Sequence, residues 1–563
     1  MNLHSKRTKT ALIYFLLIIF LIAASDFLYF LFDAEFFEAT MRITTCFCAF
    51  LIPVYLFRNR LKLYAWLLFP VMLLVPFSIC GIIFFHLPVT TSLVLSIVNT
   101  TKREALELLH QYIIPVVIVF FLSIAVYLFL VKKTPSKISA RLGLLISGCS
   151  LVVFLILPFF QQDYIRLKNS YPERLRGNIY TTFPFSVAYC AKSVYQDFRL
   201  IKDTKQERDD FRFNAKQTVN NAKKQVYVLV IGETSRADHW HINGYERNTS
   251  PHIDKRENLI SFPNTVAGAC ETEYAVPQII TNVGPDDFDD HYRQKGIISA
   301  FKESGFTTYW ITDQIDRGHI KMHEEEADYV YRLVISPEEN VTLDNTDMQL
   351  ISTLRKVLNE PGDKKFIVMH TMGSHWDYKE RYPINYDVYK PSEKTVFARP
   401  SDFSQKQVLI NTYDNCILFN DATLDSIYRV VDHQRAHSMV YFISDHGEDL
   451  FDDANHRFLH GDFEATMYGA HVPFFIWYND SVKNASPQKI SMLLDHKNNK
   501  IGAEDVLHTI TDMCDIHFPL QDSAKCIDRS SFVDSKQRVM SIGDKVFTYD
   551  SLVKMAAKIK KDQ

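Results

Sequence analysis

The first part of the chain carries long runs of apolar residues, whereas the remainder mixes apolar and polar residues over short distances. A helix needs about 20 apolar residues to cross a bilayer. Five runs of roughly that length lie near residues 11–32, 38–57, 63–86, 111–131 and 141–160. The pattern therefore predicts an N-terminal bundle of five transmembrane helices followed by a water-soluble domain.

Basic residues are concentrated in alternate connections between these runs. They occur before the first run, between the second and third, and between the fourth and fifth: Lys6, Arg7, Lys9, Arg58, Arg60, Lys62, Lys132, Lys133, Lys137 and Arg141. The connection between the first two runs is acidic, with Asp33, Glu35 and Glu38. Because connections rich in Lys and Arg stay in the cytoplasm, five spans place everything after residue 160 on the outer face.

The segment 162–222 mixes aromatic and basic residues, such as Tyr180 and Arg199. That mixture is typical of helices that lie on a membrane surface. We therefore expect three parts, namely a transmembrane domain over 1–161, interfacial linker helices over 162–222, and a globular domain over 223–563.

The overall composition excludes some classes of protein. The 563 residues include 62 Lys and Arg and 65 Asp and Glu, so the formal net charge is −3. That balance argues against a nucleic-acid-binding protein. Hydrophobic residues make up 47% and charged residues 23%, which excludes a disordered chain.

Five of the nine cysteines lie outside the predicted spans, at positions 190, 270, 416, 514 and 526. An oxidising compartment outside the cytoplasm permits disulfides. The best local candidate is a disulfide between Cys514 and Cys526. The odd number of cysteines leaves at least one thiol free or paired elsewhere.

In the globular part, four apolar runs are each followed by polar residues, which predicts an α/β sheet with its site at one edge. The runs and their polar ends are 226–231 before Gly232-Glu233-Thr234, 307–312 before Asp313-Gln314, 366–369 before His370, and 439–443 before Ser444-Asp445-His446. In open α/β sheets the active site lies beyond the carboxyl ends of the strands. We therefore expect these distant residues to converge.

The residues at the strand ends indicate a metal site. Glu233, Asp445 and His446 supply oxygen and nitrogen ligands suited to Zn²⁺, with Mn²⁺ as an alternative. Further histidines could complete the site or hold an anionic substrate: His375, His456, His460 and His471. Among these, His375 and His460 are favoured because each lies in a short turn that contains glycine.

Four segments carry a family resemblance. They are residues 230–236 (VIGETSR), 244–251 (GYERNTSP), 372–375 (MGSH) and 444–448 (SDHGE). In these segments the chain resembles the phosphoethanolamine transferases that modify lipid A and lipopolysaccharide, members of the alkaline phosphatase/sulfatase superfamily. The resemblance implies five spans followed by a periplasmic catalytic domain with the α/β fold of that superfamily.

By this resemblance the nucleophile is a zinc-bound threonine in residues 270–277 (CETEYAVP), which is Thr272. The implied zinc ligands are Glu233, Thr272, Asp445 and His446, and the implied phosphoryl-binding residues are His375 and His460. The chain departs from many relatives at Gln278, where they carry a cysteine that forms a local disulfide. The spacing from Asp445 to His460 is also longer than in relatives, so His456 is a rival to His460.

The resemblance implies an inner-membrane enzyme that moves phosphoethanolamine from phosphatidylethanolamine to lipid A or the lipopolysaccharide core through a phosphothreonine intermediate. It also implies a role in resistance to cationic antimicrobial peptides such as polymyxin, and we expect a monomer. The acceptor, the general acid and the number of zinc ions are left open by the sequence.

Three alternatives follow from the same residues. A sulfatase needs a C/S-x-P-x-R context for its nucleophile, and Glu271 to Tyr274 do not provide it after Cys270. A glycerol-phosphate transferase of the lipoteichoic-acid type also has five spans and a metal-bound threonine, but segments 247–251 and 372–375 favour the phosphoethanolamine branch. A membrane-tethered sensor without activity is disfavoured because every ligand position is filled.

Overall fold

The computed structural model describes residues 2–32, 36–85, 89–99, 102–160, 171–219, 223–314, 318–333, 343, 346–396, 402–452, 457–460, 466–534, 537–542 and 545–562. Contacts divide the chain into two compact units, Met1–Gln196 and Asp197–Gln563.

The first unit is helical. Its helices are α1 (Asn2–Ile22), α2 (Ala24–Phe32), α3 (Phe36–Leu51), α4 (Leu61–Leu67), α5 (Phe69–Met72), α6 (Val75–Phe85), α7 (Thr91–Asn99), α8 (Lys102–Lys133), α9 (Ala140–Ile156), α10 (Tyr171–Thr181) and α11 (Phe185–Asp203), the last of which continues into the second unit. Its core consists of apolar side chains such as Phe15, Ile18 and Tyr127.

Each predicted apolar run corresponds to helix, but within the described part of the chain only two runs form a single helix long enough to cross a membrane, Tyr112–Lys133 and Ala140–Phe159. Two other runs form pairs of helices bent by 59° and 43°, and the run at Ala39–Tyr55 forms a shorter helix. One bend follows Leu68, and Pro70 in the first turn of α5 lacks the N–H that would continue the helix. The described residues thus contain two to four segments able to cross a membrane.

The second unit is an α/β domain. Its strands are β1 (Lys216–Gln217), β2 (Gln225–Gly232), β3 (Leu259–Ser261), β4 (Thr265–Val266), β5 (Thr307–Thr312), β6 (Tyr329–Arg332), β7 (Lys364–His370), β8 (His437–Ser444), β9 (Asp449–Leu450), β10 (Phe458–Leu459), β11 (His471–Val472), β12 (Phe474–Tyr478), β13 (Ile501–Gly502), β14 (Ile516–His517), β15 (Val539–Ile542) and β16 (Lys545–Thr548). Its helices are α12 (Lys205–Asp210), α13 (Thr272–Ile280), α14 (Ile297–Glu303), α15 (Gly318–Glu324), α16 (Met348–Asn359), α17 (Lys406–Asp432), α18 (Asp480–Ala485), α19 (Pro487–His496), α20 (Glu504–Met513) and α21 (Tyr549–Asp562).

Seven strands form the main sheet in the order β3-β12-β8-β2-β7-β5-β6. The five strands from β8 to β6 are parallel, and β12 runs antiparallel to both β8 and β3. The four predicted strands are therefore confirmed, since β2, β5, β7 and β8 cover them and lie side by side. Their carboxyl ends meet at one edge of the sheet.

Both faces of this sheet are buried. Tyr227, Leu229 and Ile231 of β2 belong to one apolar cluster, while Val228 and Val230 belong to another. Successive side chains of a strand point to opposite faces, so each face has its own core. A sheet covered on both sides explains why these strands are continuous apolar runs.

The predicted disulfide between Cys514 and Cys526 is wrong, because both residues are free thiols. The Cys514 thiol lies at the end of α20 and faces the Tyr441 hydroxyl at 3.8 Å. The Cys526 thiol instead donates to the carbonyls of His508 and Asp522. Proximity in sequence could not reveal that the two thiols point to different neighbours.

Candidate active site

Three side chains at the carboxyl edge of the sheet form a compact, buried group. Glu233 follows β2, and Asp445 and His446 follow β8. The parallel register pairs Gly232 with Ser444, so the two strand ends lie side by side. One ligand atom from each of the three residues lies within 4.8 Å of the others, and all three side chains are buried. The structure thus brings together three of the four predicted metal ligands.

Thr272, the fourth predicted ligand and the predicted nucleophile, is the first residue of α13. Its Oγ1 lies 3.2 Å from each carboxylate oxygen of Glu233 and 3.2 Å from Nε2 of His446. A helix N-terminus carries unpaired N–H groups and partial positive charge, which favours an anion there. Thr272 is half-buried, whereas the other three residues are fully buried. Of these four residues, a substrate therefore reaches Thr272 most easily.

Backbone and side-chain donors fix the orientation of the buried group. The Thr234 hydroxyl donates to Oε1 of Glu233 at 2.7 Å. The backbone N–H groups of Thr234 and His446 both donate to Oδ1 of Asp445, at 3.0 and 2.6 Å. Nδ1 of His446 donates to the carbonyl of Gly447 at 2.7 Å. That hydrogen bond leaves Nε2 of His446 to face Glu233 and Thr272.

The charges and ligand types of this group suit a bound cation. Burial raises the pKa of Asp445 to about 7, and the nearby Glu233 carboxylate adds to the rise. Burial disfavours the charged imidazole of His446, yet Asp445 and Glu233 outweigh it and raise the pKa of His446 to about 10. Oδ2 of Asp445 is buried and accepts no hydrogen bond from the described residues. Two carboxylates and one imidazole nitrogen facing each other fit a divalent metal ion such as Zn²⁺.

The structure brings His460 close to the same group. Its ring centroid lies 4.2 Å from that of His446, and 6.3 Å from that of His375. Nδ1 of His460 bonds to Oε1 of Glu448 at 2.9 Å, and the Tyr378 hydroxyl donates to Oε2 of Glu448 at 2.9 Å. Glu448 therefore fixes the ring of His460 and leaves its Nε2 available.

The other histidines considered from the sequence are placed differently. His456, the rival to His460, lies outside the described residues. His471 lies in β11, and its Nε2 donates to the carbonyl of Pro263 at 2.7 Å. That hydrogen bond gives His471 a structural role in joining two chain segments.

The loop that carries His375 packs directly on Glu233. Gly373 has a φ of +46°, and a Cβ atom there would lie 2.8 Å from both N and O of Glu233. The carboxylate of Asp347 accepts the N–H groups of Met372 and Gly373, at 3.0 and 2.9 Å. Only glycine combines this backbone conformation with so close an approach.

We expect Gly373→Ala to reduce activity far more than its effect on stability would explain. The left-handed backbone costs about 1–2 kcal/mol for a residue with a Cβ, and the contact displaces Glu233. Gly305→Ala is the matched control, because Gly305 has a φ of +84° and a Cβ atom there would meet nothing within 4 Å. Thermal melts and turnover of both variants check this. Equal activity of the two variants would contradict the role of the Gly373–Glu233 contact.

Sequence reasoning did not place Glu448 or Tyr378 in the site. Glu448 lies in the segment 444–448, so the motif contained a signal for it. Tyr378 comes from a short 3₁₀ turn (Tyr378–Glu380) and carries no comparable signal.

A second buried group in the same domain has similar ligand types but a different charge balance. Asp512, Cys526 and Asp528 also place ligand atoms within 4.8 Å of one another. Arg529 donates to both oxygens of Asp512, and Lys489 Nζ lies 3.8 Å from Oδ2 of Asp512. Because Arg529 and Lys489 already balance the negative charge of Asp512, this group is a weaker candidate for a metal site than the group at Glu233.

Comparison with known proteins matches the α/β domain to one family. The family model described as Sulfatase covers residues 225–516, more than half of the chain. The phosphoethanolamine transferase EptC of Escherichia coli (strain K12) is 24% identical over 506 residues, covering 86% of this chain and 85% of the relative. The phosphoethanolamine transferase EptA of Salmonella typhimurium (strain LT2) is 27% identical over 439 residues, covering 73% of this chain and 76% of the relative.

Solved structures agree on the fold. The integral membrane protein lipooligosaccharide phosphoethanolamine transferase A (EptA) from Neisseria meningitidis matches with a TM-score of 0.71 and 21% identity, over 91% of this chain and 97% of that chain. The C-terminal periplasmic domain of EptC from Escherichia coli, solved in complex with Zn, matches with a TM-score of 0.53 and 24% identity, over 60% and 96%. The two matches together cover the apolar helical region and the α/β domain.

Proposed function

The chain belongs to the sulfatase family, and on that premise we propose that it transfers phosphoethanolamine from phosphatidylethanolamine to lipid A or the lipopolysaccharide core. The observation that carries this proposal is the position of the Thr272 hydroxyl, 3.2 Å from both Glu233 and His446 at the N-terminus of α13. The named phosphoethanolamine transferases that match most of the chain support it.

We propose an inner-membrane location with five spans and a periplasmic catalytic domain, acting as a monomer. Each bent helix pair then counts as one span, and Ala39–Tyr55 as another. Residues 1–161 form the transmembrane domain, 162–222 the interfacial linker, and 223–563 the catalytic domain. The alternating basic connections support this orientation.

Zn²⁺ is the ion that we propose for Glu233, Asp445, His446 and Thr272. When bound, it would lower the pKa of the Thr272 hydroxyl and offset negative charge on the phosphoryl oxygens. The Zn complex of the EptC periplasmic domain supports this choice of metal.

In the first half of the reaction, Oγ1 of Thr272 attacks the phosphorus of phosphatidylethanolamine. The new Oγ1–P bond forms as the bond between phosphorus and the glycerol oxygen breaks. The proton that Thr272 loses is balanced by one that the departing diacylglycerol gains.

In the second half, an oxygen of the acceptor attacks the same phosphorus as the Oγ1–P bond breaks. The acceptor oxygen loses its proton, and Oγ1 of Thr272 gains one, which restores the hydroxyl. We propose that His375 and His460 hold the phosphoryl oxygens in both halves. Nδ1 of His460 bonds to Glu448 and Nδ1 of His375 bonds to the carbonyl of Trp376, so each histidine keeps Nε2 for the substrate. A cationic headgroup on lipid A lowers the negative surface charge, so we expect a contribution to polymyxin resistance.

A sulfatase mechanism finds no support at residue 270. The Cys270 thiol is buried, and burial together with Glu271 raises its pKa above the usual range. Its Sγ lies 2.8 Å from the position that a Cβ on Gly469 would take. Thr272 rather than Cys270 faces the buried ligand group.

Reconstitution in vesicles tests the proposed activity. Full-length protein in vesicles of phosphatidylethanolamine and lipid A should add phosphoethanolamine to lipid A, detected by mass spectrometry. Vesicles in which phosphatidylglycerol replaces phosphatidylethanolamine should yield no modified lipid A. Glycerol phosphate on lipid A in those vesicles would instead identify a glycerol-phosphate transferase, and no modification in either would contradict the proposal.

A further inference from the structure

Gln314 reaches the metal group from a different strand. It follows β5, and its backbone N–H donates to the Thr312 hydroxyl oxygen at 3.0 Å. Its side-chain Nε2 donates to Oε2 of Glu233 at 3.0 Å and to the carbonyl of Thr371 at 2.7 Å. One amide therefore ties together the carboxyl ends of β2, β5 and β7.

Both hydrogens of this amide are used, so its orientation is fixed. A primary amide has two N–H donors, and here one meets Glu233 and the other meets Thr371. A rotation of the amide that exchanged its oxygen and nitrogen would therefore break both hydrogen bonds. A carboxylate facing the amide oxygen would be repelled, so the observed orientation is the favourable one.

Apart from Thr272, which contacts both oxygens of Glu233, the two oxygens have different partners. Oε1 accepts from Thr234 and lies 3.4 Å from Nε2 of His446, whereas Oε2 accepts from Gln314. The terminal torsion of a glutamate side chain is broad, so the carboxylate needs donors on both sides to hold one angle. Among the described residues, Gln314 is the donor to Oε2 that does not itself belong to the predicted metal ligands.

From this geometry we infer that Gln314 is a positioning residue that holds Glu233 as a metal ligand. This inference rests on the proposed metal site. The amide is suited to the task because it is neutral. A lysine or arginine in its place would neutralise the carboxylate, as Arg529 does at Asp512, and would compete with the cation. Hydrogen-bond partners of metal ligands typically change metal affinity by about 10–100-fold.

Metal affinity of the full-length protein tests the role of Gln314. Gln314→Met keeps the side-chain length and removes both donors, and Gln488→Met is the control at an exposed position of α19. Each metal-free protein is titrated with Zn²⁺ in competition with a chromogenic chelator. We expect the affinity of Gln314→Met for zinc to fall by about 10–100-fold, and that of Gln488→Met to equal wild type.

Two further readouts separate positioning from folding. The rise in melting temperature that a limiting zinc concentration gives should be smaller for Gln314→Met than for wild type, and excess zinc should restore part of its turnover. Zinc affinity of Gln314→Met equal to wild type would overturn the inference while leaving the proposed function intact. A wild-type protein that binds no zinc would instead overturn the proposed metal site and, with it, the role of Gln314.

Discussion

Replacing Thr272 with alanine is expected to abolish transfer while the protein remains folded and still binds metal through Glu233, Asp445 and His446. The substitution removes the hydroxyl that lies 3.2 Å from Glu233 and His446. Loss of a nucleophile lowers turnover by at least about 10⁴-fold. Thr272 is half-buried at the first position of α13, so alanine is tolerated there. Thr272→Ser keeps the oxygen and should retain part of the activity.

Thr281→Ala and Thr265→Ala are the matched controls. The Thr281 hydroxyl donates to the carbonyl of Pro277, and that of Thr265 to the carbonyl of Phe262. Both hydroxyls serve the backbone, so their loss should affect stability and leave the chemistry unchanged. Turnover is measured as phosphoethanolamine added to lipid A per unit of folded protein. An active Thr272→Ala enzyme would rule out this residue as the nucleophile.

The second large effect is expected at the buried carboxylates. Glu233→Gln and Asp445→Asn preserve shape and remove one negative charge each, so each should weaken zinc binding by more than the roughly 10–100-fold that partner residues cause. Metal bound only by the folded state adds about 4 kcal/mol of stability at 1,000 times its dissociation constant. Both variants should therefore lose turnover and also lose the rise in melting temperature that zinc gives to wild type.

Asp528→Asn is the control, because it removes a buried carboxylate that lies outside the proposed zinc site. Asp528 belongs to the second group of ligand-type residues, where Arg529 and Lys489 already supply positive charge at Asp512. The zinc content of this variant, measured by elemental analysis, should equal that of wild type. Full zinc occupancy in Glu233→Gln or Asp445→Asn would remove that residue from the proposed set of ligands.

The parts of the site that the sequence predicted are those that depend on strand direction. Glu233, Asp445 and His446 follow apolar runs, and parallel strands bring such ends to one edge whatever their separation in sequence. Thr272 follows no strand of the main sheet, and its place in the site came only from the family resemblance. In the structure, the N-terminus of α13 places Thr272 at the edge of the sheet, and no local sequence pattern predicts that placement.

Other features depended on side-chain direction, which periodicity does not reveal. The Cys514 and Cys526 thiols are near in sequence but face different neighbours. Tyr378 reaches Glu448 from a separate loop. In the apolar helical unit, the length of a run predicted a helix, but the 59° and 43° bends depend on where the helix is interrupted.

The central claim is that Thr272 carries the phosphoethanolamine group between donor and acceptor. Wild-type protein is incubated with phosphatidylethanolamine alone, digested, and mapped by mass spectrometry. We expect a phosphoethanolamine adduct on Thr272 within the peptide that contains residues 270–277, and its loss after lipid A is added. An adduct on any other residue, or transfer to lipid A at the normal rate with no adduct at all, would contradict the claim.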